Sequence, residues 1–229
     1  DTVVLAGGVA ASTVFGDIGA DLFSISGGIT DVSLMGGDGN DSFNLAGVIT
    51  RTTVNTGAGI DSIALSGSFS TDFAITGALT STSIIGGGAA DVINVLANVS
   101  AGYVSLGAGA DSIFFSSTVT ASTVVGAGAG DSISLSGAND DLSFSSAASA
   151  KVYAGSGSDT ISFINAAVGN TVDLGVNDPS GTANRLEFNS TASNNYVLGG
   201  SGDDVIRFEN LSSSDQVFAG AGNDTVRFL

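Results

Sequence analysis

The chain has 229 residues with 34 glycines, one proline and a formal net charge of −17, from 22 acids against 5 bases. So acidic a chain lacks the basic footprint that nucleic acid requires, and it disfavours anionic membrane surfaces; cations are its natural partners. It contains neither cysteine nor histidine, which excludes disulfides, thiolate zinc sites and histidine-dependent catalysis. No apolar run reaches the roughly 20 residues of a membrane span, so membrane insertion is not expected.

From the first residue the chain repeats itself. Asp1, Asp21, Asp41 and Asp61 stand twenty apart, and the series resumes with Asp91, Asp111 and Asp131, then Asp159, Asp204 and Asp224. Asn184 fits the same place with an amide in place of the acid. A second column lies seven residues before each acid: Val14, Leu34 and Val54, then Ile84, Val104 and Val124, then Val152, Val197 and Val217. Apolar residues also lie two and four after it, as in Phe43 and Leu45, Ile63 and Leu65, Ile113 and Phe115, and Ile206 and Phe208. Such alternation describes strands with one buried face.

Each unit therefore reads as strand, turn, strand and glycine-rich turn. Two strands cannot bury their own apolar face, so neighbouring units must stack. The expected fold is all-β: a right-handed parallel β-roll or β-helix solenoid, one domain over 1–229, of about ten coils of about twenty residues. At a spacing of about 4.8 Å the rod would be roughly 48 Å long. Helices are not expected, because glycine and β-branched residues dominate and no 3.6-residue pattern is visible.

Three spacings depart from twenty. Asp61 to Asp91 contains an additional strand-like stretch, "TDFAIT", and Asp131 to Asp159 contains "DLSFS". Those two coils are expected to carry a third strand and to bulge on one side. Asp159 to Asn184 contains "VNDPSGTAN", which reads as a longer loop.

The turn "GGDGND" followed by "SFN", at residues 36–44, matches the nonapeptide GGxGxDxUx, in which U is a large apolar residue. It resembles the RTX, or haemolysin-type calcium-binding, repeat family. The match is nearly complete again at 199–207 and eroded elsewhere. The resemblance implies a β-roll with Ca2+ between stacked turns, held by aspartates and backbone carbonyls. It also implies a secreted bacterial surface-layer, sheath, filament or adhesin protein. The implied metal residues are Asp21, Asp38, Asp41, Asp61, Asp91, Asp111, Asp131, Asp159, Asp203, Asp204 and Asp224. Opposite turns such as "AGVITR" and "SSTVTA" are nearly free of acid, so calcium is expected along one edge only.

The chemistry of the acid column stands apart from the resemblance. Carboxylates about 4.8 Å apart repel by roughly 3–4 kcal/mol per pair at an effective dielectric near 20. The column needs cations, protons or donated hydrogen bonds, and hard oxygen ligands on flexible turns suit Ca2+ better than Mg2+. The alternative is that each Asp only accepts backbone N–H bonds within its turn. The richest clusters are Asp21, Asp38, Asn40 and Asp41, and Asp203, Asp204, Asn223 and Asp224; Asp91 and Asp111 have only small neighbours.

Other features are weaker signals. Glu187, Arg207 and Arg227 share one strand position and are expected to form an outward ladder. Phe114 falls on an outward position. With Lys151 the only lysine and the acids periodic, no enzyme is expected. A carbohydrate-binding or polysaccharide-modifying β-helix module is the alternative function, with a cell-surface polysaccharide as partner. The first and last strands share one phase of the repeat, so either the solenoid continues past both ends or copies associate head to tail; lateral association is the other route to a lattice.

Overall fold

The computed structural model describes all residues except 67, 70–72, 78, 87–89, 108, 126–129, 137–138, 146, 176–180 and 211. Among the described residues there are strands and turns and no helix. A 12-stranded sheet runs from Thr2–Leu5 to Thr225–Phe228, and a 13-stranded sheet takes the alternate strands of the chain. Every pairing is parallel; for example, Leu22–Ile25 lies on Ser42–Leu45 with Phe23 opposite Phe43. We call the two faces the first and second sheets. The chain climbs one rung each time it passes through both, which makes a β-solenoid.

The strands obey the period-two rule. Inward positions are filled by Phe, Ile, Leu and Val, while Ser, Thr and Asn face out. Phe144, Phe163, Phe188, Phe208 and Phe228 stack in one ladder with ring centroids 4.7–5.0 Å apart and planes within 16°. Each buried ring contributes about 1.5–3 kcal/mol through burial, with stacking adding about 0.5–1.5 kcal/mol.

Two kinds of bend join the sheets. One is the glycine-rich turn, in which Gly37 and Gly39 have φ of +116° and +139°. A side chain at either would run into the backbone of the turn one coil earlier, at Asp17 and Gly19 respectively. The other is a tight corner on a left-handed residue that is not glycine, such as Asp31, Arg51, Ala101 or Ser149, with φ of 45–56°.

The additional strands of the two irregular spacings exist, but they do not bulge. Ala74–Thr76 takes a regular place in the second sheet, between Thr53–Ala58 and Val92–Val95. Asp141–Phe144 takes one in the first sheet, between Ser122–Val125 and Thr160–Phe163. Each irregular spacing is thus one and a half coils. As a result, glycine turns lead into the first sheet up to Asp61, into the second sheet from Asp91 to Asp131, and into the first again from Asp159 onward, while Asp140 enters the first sheet from a left-handed corner at Asn139. The corners move the opposite way: Ala11, Asp31 and Arg51 precede second-sheet strands, Ser81, Ala101 and Ala121 first-sheet strands, and Ser149, Asn194 and Ser214 second-sheet strands again.

The column seven residues before each acid is divided likewise. Val54 continues to Ile75, whereas Ile84 lies on Ile63. The proline loop falls partly outside the described residues; its described flanks, 174–175 and 181–184, carry no strand.

Candidate cation sites on the acidic turns

The strand rule places the Asp of each turn at the mouth of the sheet, just before the strand begins. There its side chain turns inward beneath the apolar ladder. Asp21, Asp41, Asp61, Asp91, Asp111, Asp131, Asp159 and Asp204 are all at most 3 % exposed. Asp224 is half-buried. Asp38 and Asp203 lie on the outer surface of their turns and do not join the buried column.

Consecutive turns are stitched together by these carboxylates. The N–H of Asp21 donates to Asp41 Oδ1, and that of Asp41 to Asp61 Oδ1, both at 2.9 Å. Asp91 donates to Asp111 and Asp111 to Asp131 in the same way, at 2.9 Å. The third run passes from Asp140 through Asp159, Asn184 and Asp204 to Asp224, at 2.8–3.0 Å. Residues just before the acid bond in the opposite direction: Ile60 N–H donates to Asn40 Oδ1 and Asn223 N–H to Asp203 Oδ1.

Calcium along a single edge was the expectation, and the columns lie on two. Asp61 and Asp91 are not neighbours. Asp61 is followed on its edge by Thr82, Gly102 and Ser122, whose hydroxyl accepts the Gly102 N–H at 3.0 Å. A half-coil shift carries the acid turns to the opposite edge and a second shift returns them.

At four acids hydrogen bonding accounts for one oxygen of the carboxylate only. Oδ2 of Asp21, Asp41, Asp111 and Asp140 is buried with no hydrogen-bond donor. The glycine five residues before the acid shows what surrounds it. A Cβ on Gly36 would collide with both Asp41 Oδ2 and the Thr56 carbonyl oxygen, and one on Gly16 with both Asp21 Oδ2 and the Gly36 carbonyl. A Cβ on Gly199 would meet Asp204 Oδ2 and the Ala219 carbonyl. Carboxylate and carbonyl oxygens thus flank one small space between consecutive turns. Acceptors without a donor repel one another unless a proton or a cation lies among them.

The corner edge performs the same backbone task with amides. Ala150 N–H donates to Asn170 Oδ1, Asn170 N–H to Asn195 Oδ1, and Asn195 N–H to Asp215 Oδ1. Their Nδ2 groups donate in turn to the Ala147 and Ala167 carbonyls. Asn184 does likewise on the acid edge, giving its Nδ2 to the Leu174 carbonyl at 2.8 Å. Capping alone is therefore served by Asn, with both ends of the amide used. A carboxylate in that place has a second acceptor oxygen instead, which in Asp215 receives the Ser212 hydroxyl.

Burial pushes the Asp41, Asp111 and Asp140 carboxyls above the usual 3.8, against the pull of the N–H bonds from Asp21, Asp91 and Val119. Neighbouring acids, Asp21 for Asp41 and Asp131 for Asp111, raise them further. Burial likewise raises Asp61 and Asp204.

Asp140 falls outside the expected column, because "DLSFS" reads as an additional strand with no acid turn before it. Its signal was present: Leu142 and Phe144 lie two and four after it, as after every other column acid. Its Oδ1 accepts the Val119 N–H at 2.7 Å. The Asn170–Asn195–Asp215 ladder falls outside it as well, because amides in a corner carry no glycine signature.

The ladder at Glu187, Arg207 and Arg227 stands in register as expected, with Arg207 Nη1 3.8 Å from Glu187. Arg185 pairs with Glu187 and Arg207 also with Glu209. Phe114 points outward, 39 % exposed.

The fold and the turns define a class: a parallel β-solenoid with stacked oxygen sites suited to a hard divalent cation. The RTX calcium-binding nonapeptide repeat matches the chain in four copies, at residues 188–209 and 211–227. No curated protein and no solved structure matches it. No three acidic side chains converge among the described residues, so the oxygen supply of each site is two carboxylates at most, with backbone carbonyls.

Proposed function

We propose that the chain is a structural, calcium-stabilised β-solenoid, acting as one domain within a longer secreted bacterial surface-layer, sheath, filament or adhesin protein. The observation that carries this reading is the donorless Oδ2 of Asp41, facing the Thr56 carbonyl between consecutive turns. The RTX match in the last coils supports the choice of calcium. Asp21, Asp41 and Asp61, then Asp91, Asp111 and Asp131, then Asp159, Asp204 and Asp224 would hold the ions; Asp38 and Asp203 would act from the surface. What a bound calcium ion supplies is positive charge between paired acids, so that binding free energy becomes folding free energy. Chain exported from a low-calcium cytoplasm would then stiffen outside the cell. Lateral or head-to-tail association would extend the rod into a lattice or filament.

Calcium titration of chelator-treated protein, followed by circular dichroism and melting temperature, tests the reading. We expect a gain of β signal and of melting temperature, reversed by chelator. Indifference of both to calcium sinks it and leaves the aspartates as turn caps.

One observation favours a second reading, docking of a cell-surface polysaccharide. Tyr153, Tyr196 and Phe218 are exposed on the outer face of the second sheet, with the Tyr196 and Phe218 rings 5.3 Å apart. Retention on immobilised glycans, lost on Tyr196→Ala, would support it.

A further inference from the structure

We infer that the cation sites form three blocks that load independently, because the acid column changes edge twice. This rests on the calcium reading above. The first block comprises Asp21, Asp41 and Asp61, joined by bonds from each Asp N–H to the next Asp Oδ1. Asp91, Asp111 and Asp131 make the second. The third opens at Asp140, a site residue that neither the nonapeptide match nor the twenty-residue period reveals, and runs to Asp224.

Within a block, each inner carboxylate faces two gaps between turns, so filling one gap changes the charge beside the next; in the third block Asn184 carries the N–H bonds between Asp159 and Asp204 but no charge. Between blocks that relay is broken. The edges stand on opposite sides of four-residue strands such as Ser62–Leu65 and Ser132–Leu135. Four residues at about 3.3 Å each span about 13 Å, nearly three times the rung spacing of about 4.8 Å, so the Coulomb coupling between the edges falls to about a third of that between neighbouring acids.

At the first joint the buried Thr82 lies over Asp61, while the buried Thr52 lies beneath Phe73 and Ile93, so Asp91 enters its edge two residues out of step. The core of this joint is complete without an ion, since Ile63, Leu65, Phe73, Ile75, Leu79 and Ile84 are all buried. The second joint repeats this two-residue step. Ser122 lies opposite Leu142, so Asp140 enters two residues out of step with the hydroxyl column beneath it. Its Oδ1 is taken by Val119, not by a residue of an acid turn, and its buried Oδ2 has no donor. The β-ladders pass through both joints; the cation path does not.

The test uses the full chain, stripped of metal and titrated with calcium, with hydrogen exchange read by mass spectrometry in segments 2–65, 92–135 and 141–228. Asp111→Asn is the decisive variant, since Asn keeps the acceptor for the Asp91 N–H, as Asn184 does for Asp159. We expect the calcium midpoint of 92–135 to rise by roughly tenfold while the other two segments stay within about twofold. Asp41→Asn should move 2–65 alone, and Asp140→Asn should move 141–228 alone. A common shift of all three segments overturns the inference, as does a segment unmoved by its own variant. A wild-type chain indifferent to calcium in every segment overturns the calcium reading together with it.

Discussion

Ile63 pairs with Ile84. The first follows its aspartate by two residues and the second precedes its own by seven, so by the repeat they belong to different columns. Their pairing means that a strand leading out of an acid turn lies against a strand leading into one. From that rung on, the acidic edge and the neutral edge of the solenoid have changed sides.

Asp41 separates capping from cation binding. Asp41→Asn keeps the acceptor for the Asp21 N–H and removes a buried charge, so without calcium it should raise stability by about 1 kcal/mol or more. With saturating calcium the same variant should be the less stable protein. Asp41→Ala abandons the N–H as well and should cost about 1–3 kcal/mol in both conditions. Urea melts with chelator and with calcium provide the comparison; equal ranking of the wild type and Asp41→Asn in the two conditions would count against an ion at this turn.

Cation-free protein should lose stability as the pH rises. Asp41, Asp111 and Asp140 are raised above 3.8 in the fold by burial, so the fold prefers their protonated form. Their contribution is fully present below the unfolded value and is lost as the pH climbs through the raised folded values. In chelator the melting temperature should therefore be higher near pH 4 than at pH 7. Calcium competes with the protons for the same oxygens and should abolish or reverse that order. A chelated protein most stable at pH 7 would contradict the assignment.

Gly36 tests the space between turns. A methyl group there would collide with Asp41 Oδ2 and the Thr56 carbonyl, whereas nothing lies within 4 Å of a Cβ on Gly7. Gly36→Ala should cost about 1–3 kcal/mol and weaken calcium binding to the first block. Gly7→Ala should remain within about 0.5 kcal/mol of the wild type. Equal effects of the two substitutions would show that the space beside Asp41 is not used.

Much of this protein is legible in its residues alone. The twenty-residue spacing of Asp21, Asp41 and Asp61 and the alternation of Phe43 and Leu45 dictate stacked strands, because a two-strand unit has nowhere else to bury its apolar side. The carboxylate-to-N–H stitching follows from an acid at the same turn position in successive coils. What only the tertiary structure decided is which acids share an edge. Both strands of a coil are short and place large apolar residues inward, so Ile84 packs on Ile63 as well as a residue of its own column would. A half-coil shift therefore costs the core almost nothing, yet it moves every polar turn to the other side. Composition and period name the acids; the pairing of apolar strands across the joints determines that Asp61 has Thr82 above it, and not Asp91.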